Sequence, residues 1–368
     1  MERTTAKKNK YEIDMCNGTI MDKLISFSLP LMLSGILQLM FNAVDIIVVG
    51  RFSGSQALAA VGSTSALINV FTNLFIGISL GANVLTARFY AAGREKEVSE
   101  TVHTAITLAL VSGIVMALVG LVFSKGALAL MGTPDDVIGL SALYMRIYFL
   151  GMPFFMLYNY GAAILRAVGD TKRPLLFLMI AGVINACLNM VLVIVFKLGV
   201  AGVAIATVIS QMISCVLVLR CLCRSESSYR LRFSELGMKG YYLKQIFSVG
   251  VPAGIQSTVI NFSNVLLQSS VNSFGSTAMA GYTAANNLLG FLYVSVNSIT
   301  QACMSFTSQN YGVGKLKRMD RVLADCMILS VVVAVVLGCI CYGFGPEILQ
   351  IYTEDAEVIA CGMEILAY

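Results

Sequence analysis

Between Lys244 and Lys315 the chain contains no Asp, Glu, Lys or Arg. A water-soluble domain cannot carry so long a run without charge, because ionised side chains hold its surface in water. The rest of the chain follows suit: 57% of its 368 residues are hydrophobic and 12% are charged. Soluble domains carry roughly twice that share of charge. The bilayer is the solvent that suits such a composition.

At 1.5 Å of helix rise per residue, spanning runs fall near 25–49, 56–84, 101–123, 138–164, 174–196, 199–219, 246–273, 277–303 and 325–344. A last apolar segment starts near Val358. The first run is too long for a signal-peptide core and reads as a retained first helix. Alternate loops, counting the N-terminus, hold 21 of the Lys and Arg residues, and the intervening loops hold only Arg51, Lys125 and Lys197. That asymmetry places the N-terminus and the cation-rich loops in the cytoplasm of a multi-pass protein of the cell (inner) membrane. With no Trp in the chain, Tyr must supply most interfacial anchors.

An offset of about 221 residues lays the second half of the chain on the first. Pro30 meets Pro252, Phe52 meets Phe274, Tyr90 meets Tyr311 and Gly93 meets Gly314. Six helices separate equivalent points, so both copies cross in the same direction, as parallel repeats do. The expected fold is an all-α polytopic membrane protein with two parallel-repeat helical lobes around a central cavity. Residues 1–23 form a cytoplasmic N-terminal tail, 24–220 an N-lobe of six helices, 221–244 a cytoplasmic linker, and 245–368 an incomplete C-lobe of about three and a half helices. Because Tyr368 falls opposite Ile147, the chain is expected to be a C-terminally truncated copy of a twelve-helix protein, one that folds poorly as written.

Asp45 is the one carboxylate well inside a span. Ionisable groups at that depth are costly and mark ion or substrate pathways. Ser34, Gln38, Asn42 and Asp45 recur at helical spacing and share one face of the first span. Asn185 with Asn189, and Thr207 with Gln211 and Ser214, line faces of the fifth and sixth spans. Interhelical hydrogen bonding accounts for any one of these groups alone. Together they offer neutral oxygens to a hard cation whose charge Asp45 balances. The seventh span repeats the pattern with Ser257, Asn261, Asn264, Gln268 and Asn272, but Leu267 stands opposite Asp45. Gln38, Asn42, Tyr148, Asn159, Asn261, Asn264, Gln268 and Asn287 are the expected walls of the substrate cavity. Tyr144, Tyr148, Phe155 and Tyr158 form an aromatic stripe that serves either helix packing or flat cationic and amphiphilic solutes. Arg146 lies within the same span. His103 is expected at a solvated helix end.

Other chemistries lack their residues. The ten Cys contain no C-x-x-C pair and read as small packing residues. Gly312-Val313-Gly314-Lys315 lacks the upstream glycine and following Ser or Thr of a phosphate-binding loop. A single His leaves no nucleophile–base or metal constellation, so no enzyme, cofactor or metal is expected beyond Na⁺ at the cation site. Without an ATP engine, transport must draw on an H⁺ or Na⁺ gradient. A lone carboxyl kept from water suits a proton carrier and tilts the choice to H⁺.

The run Val44-Asp45-Ile46-Ile47-Val48-Val49-Gly50-Arg51 resembles the first-helix signature of multidrug and toxic compound extrusion (MATE) transporters. Leu58-Ala59-Ala60-Val61-Gly62, the stretch from Leu165 through Arg166, Gly169 and Asp170 to Pro174, that from Gly199 to Thr207, and Ser308-Gln309-Asn310-Tyr311-Gly312 are similar to further motifs of that family, in order. The resemblance implies two six-helix lobes, a V-shaped cavity and Na⁺- or H⁺-driven export of drugs or other amphiphilic and cationic solutes. It places the cation site at Asp45, Asn185, Asn189 and Thr207 and a helix-bending proline at Pro30. Asn189 stands where many relatives carry Asp. The expected partners are small organic substrates and the lipid bilayer, with no nucleic acid, and the expected state is a monomer. A flippase for a lipid-linked saccharide or other lipid is the rival reading. It is disfavoured because Arg146 alone among the cations falls inside a span.

Overall fold

In the computed structural model, residues 11–131, 133, 135–272, 276–350 and 355–367 are described. Every regular element among them is helical. The order is α1 (Met21–Ser53), α2 (Ser55–Ala91), α3 (Glu95–Leu130), α4 (Asp135–Leu150), α5 (Met152–Ala167), α6 (Lys172–Asn189) and a π-helical turn (Met190–Val195). After these come α7 (Gly199–Cys223), a single 3₁₀ turn (Phe233–Glu235), α8 (Gly240–Asn272), α9 (Ser276–Gly312), α10 (Leu316–Gly343), α11 (Gly345–Gln350) and α12 (Ala356–Leu366). Glycine punctuates the chain where it must reverse. Gly93 (φ 69°) and Gly314 (φ 72°) make repeat-related left-handed turns that a side chain would strain. Gly275, between α8 and α9, lies outside the described residues.

Six described helices are long and apolar enough to cross a membrane, or seven if a bent pair counts as one span. The bent pair is α4 and α5. The sequence predicts one helix across 138–164, but the two segments meet at 47° around Gly151. Pro153 explains the break, because it has no N–H to give the preceding turn and its ring crowds the carbonyl four residues back. Outward faces are apolar, as at Leu118, Val122 and Phe123 on α3 and Val331 and Val335 on α10, each at least half exposed. Lipid tails, not water, suit such a surface.

Helices α1 to α7 pack about one another into the first lobe. The second lobe, from α8 onward, meets it along two seams near the ends of the helices that carry Ile20, Ala91, Ala167 and Gly312. In one seam α2 lies on α8, and four glycines (Gly77, Gly81, Gly250 and Gly254) let backbone touch backbone. In the other, α1 packs on α9 through Leu24, Phe27 and Leu31 against Ile299, Ala302 and Phe306. Phe27 and Phe306 meet edge to face at 5.6 Å.

A strap formed by residues 11–20 covers this end. The sequence predicts a cytoplasmic tail over 1–23, and from Tyr11 onward that segment is tied to both lobes. Glu12 accepts hydrogen bonds from the Tyr90 hydroxyl (2.8 Å) and the Tyr229 hydroxyl (2.7 Å). The Ile13 N–H donates to the Gly169 carbonyl at 3.3 Å. Met15 is fully buried, and its carbonyl accepts from Asn310 Nδ2 at 3.1 Å. Lys315 donates to the Cys16 carbonyl at 2.8 Å. The segment after α7 also folds back. His103 is buried instead of solvated, because its Nε2 accepts the Arg232 N–H at 3.1 Å while Nδ1 bonds the Ser99 carbonyl at 2.6 Å. Nearby, Arg232 holds the Glu235 carboxyl below its ordinary pKa by hydrogen bonding to it.

Candidate functional site

Three helices converge on Asp45. It lies three-quarters of the way along α1 and is 7% exposed. Gly182 lets the Phe41 ring press against the backbone of α6, because a Cβ there would overlap that ring. One turn further, α6 turns Asn185 to the same side, and a turn beyond that Asn189. Asn189 Nδ2 donates to Asp45 Oδ1 and, at 3.2 Å, to Asn185 Oδ1. Thr207 on α7 closes the group. Its hydroxyl lies 3.3 Å from Asp45 Oδ2 and 3.0 Å from the Val203 carbonyl, and it accepts from Asn185 Nδ2 at 3.4 Å. The four residues that the resemblance assigned to a cation site thus form one hydrogen-bonded cluster.

Two details set this cluster apart from packing. Asn189 spends both amide hydrogens on its neighbours, so its Oδ1 is buried with no donor from the described protein. Buried acceptors without donors are uncommon, and an oxygen of this kind beside a carboxylate suits a hard cation. Directly after Asn189 the backbone widens into the π turn Met190–Val195, a distortion often found at functional sites. No group of three or more His, Cys, Asp or Glu with metal-binding geometry occurs among the described residues. The donor set is therefore oxygen, which fits Na⁺ or a proton and not a thiophilic ion.

The cluster opens into a pocket of about 330 Å³ inside the first lobe. Asn42 and Tyr148 line it, and Tyr148 stacks on Tyr144 with ring centroids 6.1 Å apart. Gln211 and Ser214 of the α7 stripe reach it as well. A second cavity of about 700 Å³ lies between the lobes, lined by Gln38 and Asn159 from the first and Asn261 and Asn264 from the second. Gln38, Asn69, Asn73, Ile76, Phe155 and Tyr158 border both spaces, which therefore lie side by side.

Other expected residues fall elsewhere. Asn287 is exposed and lines neither cavity. Its neighbour Asn286 lines the central one, since a step of one residue turns a helical side chain by about 100°. The side chain of Gln268 lies outside the described residues. Pro30 is buried in α1, which continues as helix past it. The structure also reverses the order of the two internal arginines. Arg146 is exposed, whereas Arg166, read from sequence as a loop cation, lines the central cavity and donates to Gln301 Oε1 at 3.1 Å. Helix α5 runs on to Ala167, and helical side chains lean back toward the N-terminus, so Arg166 is drawn into the bundle. Asn69, Thr72 and Asn73 on α2 also face the pockets. Their close spacing was legible in the sequence, and only the absence of a charge hid them.

Comparisons with known proteins agree with this architecture. The family model described as MatE matches residues 30–191 and 252–368. A protein of Bacillus subtilis strain 168, described as probable multidrug resistance protein YoeA, is 34% identical over 92% of this chain and 75% of its own length. A second from the same organism, probable multidrug resistance protein YpnP, is 27% identical over 96% and 79%. A solved structure described as the outward-facing conformation of a multidrug resistance MATE family transporter of the MOP superfamily superposes with a TM-score of 0.91. It is 21% identical and is matched over 98% of this chain and 80% of its own, a likeness that concerns the fold.

Proposed function

This chain belongs to the MATE family of membrane transporters, and on that premise we propose that it is an H⁺- or Na⁺-coupled antiporter that exports drugs or other amphiphilic and cationic organic solutes across the cell membrane. The observation that carries the reading is the placement of Asp45. It is the one charged group lining the first-lobe pocket among the described residues, it is held by Asn189 and Thr207, and its pocket shares walls with the central cavity. An ion that binds Asp45 neutralises a buried charge and so favours a different packing of α1, α6 and α7. Solute in the central cavity and ion in the pocket then share the walls Gln38, Asn69 and Asn73, which gives each a means of biasing the other.

Asp45, Asn185, Asn189 and Thr207 are the coupling residues in this proposal. Gln38, Asn159, Asn261 and Asn264 contact the solute in the central cavity, and Asn42 and Tyr148 contact the part of it that reaches the first-lobe pocket. The single carboxylate favours H⁺ over Na⁺. The lobes are 24–220 and 245 onward, joined through 221–244, and the N-terminus faces the cytoplasm, as the distribution of Lys and Arg favours. The chain acts as a monomer.

The test is dye efflux from proteoliposomes with the H⁺ and Na⁺ gradients imposed separately. Wild-type protein is expected to respond to the H⁺ gradient. Asp45→Asn is expected to lose gradient-driven efflux while inserting at normal abundance. Full transport by that variant removes Asp45 from the mechanism. Efflux that survives collapse of the proton gradient and stops without Na⁺ reverses the ion assignment.

A further inference from the structure

The central cavity carries a charge opposite to that of the pocket beside it. Among the described residues that line it, Arg166 is the one Asp, Glu, Lys, Arg or His, and the remainder are Asn, Gln, Ser, Tyr and apolar side chains. A guanidinium does not shed its charge at any pH the protein meets, so Arg166 cannot relieve its burial by losing a proton as a Lys would. Its polar partner is the neutral Gln301 Oε1 across the seam, and no carboxylate lies within ion-pair distance among the described residues. Asp45 faces the first-lobe pocket and is not that counter-charge. The C-terminal end of α5 offsets only part of a full positive charge.

We propose that Arg166 is an oxyanion-binding residue of the central cavity, and that the preferred solutes are amphiphiles bearing a carboxylate or phosphate group. The assignment rests on the exporter reading above, and within its amphiphilic solutes it favours those that carry an anionic group over purely cationic ones. The fork of N–H groups on Arg166 matches two oxygens of a carboxylate or phosphate, and Gln301 keeps its own amide N–H groups to add to the grip. The same cavity is lined by Phe155 and Tyr158 from α5, Tyr293 from α9, and Asn261 and Asn264 from α8. An aromatic or acyl body fits those walls while its anionic end meets Arg166. A purely cationic solute meets the same arginine as a repulsion.

The experiment uses the full chain in proteoliposomes with a matched pair of xanthene dyes, one zwitterionic with a free carboxylate and the other its cationic ethyl ester. A phospholipid labelled on its tail is the third probe. Wild-type protein is expected to favour the free acid by about tenfold in apparent affinity. Arg166→Gln is expected to erase that preference by weakening the acid about tenfold without weakening the ester, and Arg166→Lys to keep part of it. The acid–ester comparison in wild type tests the proposal even if the variants fold poorly. Equal handling of the two dyes by wild type overturns the proposal. So does an equal loss of both dyes in Arg166→Gln, which makes the residue a pin between lobes. If the ester is exported and the acid is not, the anion assignment fails and the exporter reading stands. Arg166-dependent movement of the phospholipid alone keeps the anion site, assigns its oxyanion to a lipid headgroup, and ends the exporter reading. If none of the probes moves, both fail together.

Discussion

The two seams between the lobes occupy equivalent places in the repeat, yet they are built differently. Helix α8 is the copy of α1 and α9 the copy of α2, so the α2–α8 contact and the α1–α9 contact are the same crossing seen twice. The repeat sets Gly77 against Ser298, Gly81 against Ala302, Gly250 against Ser28 and Gly254 against Met32. Four glycines on one side bring backbones together. A Cβ on Gly254 would meet the Leu74 carbonyl oxygen at 2.6 Å, and one on Gly250 would meet the Ile78 carbonyl oxygen at 2.8 Å. Their counterparts carry side chains, so α1 and α9 meet through interdigitated Phe, Leu and Ile, with the strap laid across them. Small-residue seams let helices associate without a hydrophobic drive, since lipid is as apolar as the side chains. The glycine seam is thus a fixed axis with little room to adjust, and the side-chain seam is one that can open by rotamer change.

That contrast can be broken by substitution. Gly77→Val is expected to have the largest effect, about 3 kcal/mol of destabilisation, because its Cβ falls on the backbone of Gly254, which cannot step aside. Detergent-solubilised protein would show it as a lower melting temperature and reduced folded yield, and a normal yield would mean that the glycine seam is not fixed. Gly35→Ala in the other seam is expected to cost less, about 1 kcal/mol, because its Cβ meets only a methyl of Val294. Adding Val294→Ala should recover most of that loss, and a double variant no better than the single would show that backbone, not side chain, limits this seam. Glu12→Gln is expected to have the smallest effect, about 0.5 kcal/mol, since it exchanges two charge-assisted hydrogen bonds from Tyr90 and Tyr229 for neutral ones. Its signature is local: faster amide hydrogen exchange over residues 11–20, with the glycine seam unchanged.

Much of this was legible in the sequence, for a physical reason. Asp45 stands out because a charge inside an apolar run is expensive, and helical spacing ties Asn185 to Asn189 without any knowledge of packing. The spans follow from hydropathy, the alternating cations from the positions of Lys and Arg, and the repeat from matched Pro, Phe, Tyr and Gly residues. What was not legible depended on long-range approach. Gly182 looks like any other helical glycine until Phe41 is seen lying on it. Pro153 sits in an apolar run long enough to span, so length concealed the bend at Gly151. Arg166 and Arg146 each lie near apolar residues, and only the extension of α5 decides which of them turns inward. Gln309 and Asn310, prominent as a motif, serve the closed end: Gln309 Nε2 donates to the Ala167 carbonyl at 2.7 Å and Asn310 holds Met15.

The strap carries a consequence for how the molecule is made. Its carbonyl groups at Met15 and Cys16 leave the ribosome almost 300 residues before Asn310 and Lys315, which bond them. During that interval Glu12 can engage Tyr90 and later Tyr229, but the far half of the strap has nothing to hold. Docking of residues 11–20 is therefore a late event in biogenesis that reports arrival of the α9–α10 turn. Protease sensitivity of this segment in a pulse-labelled chain should persist until that turn has been inserted, and then fall.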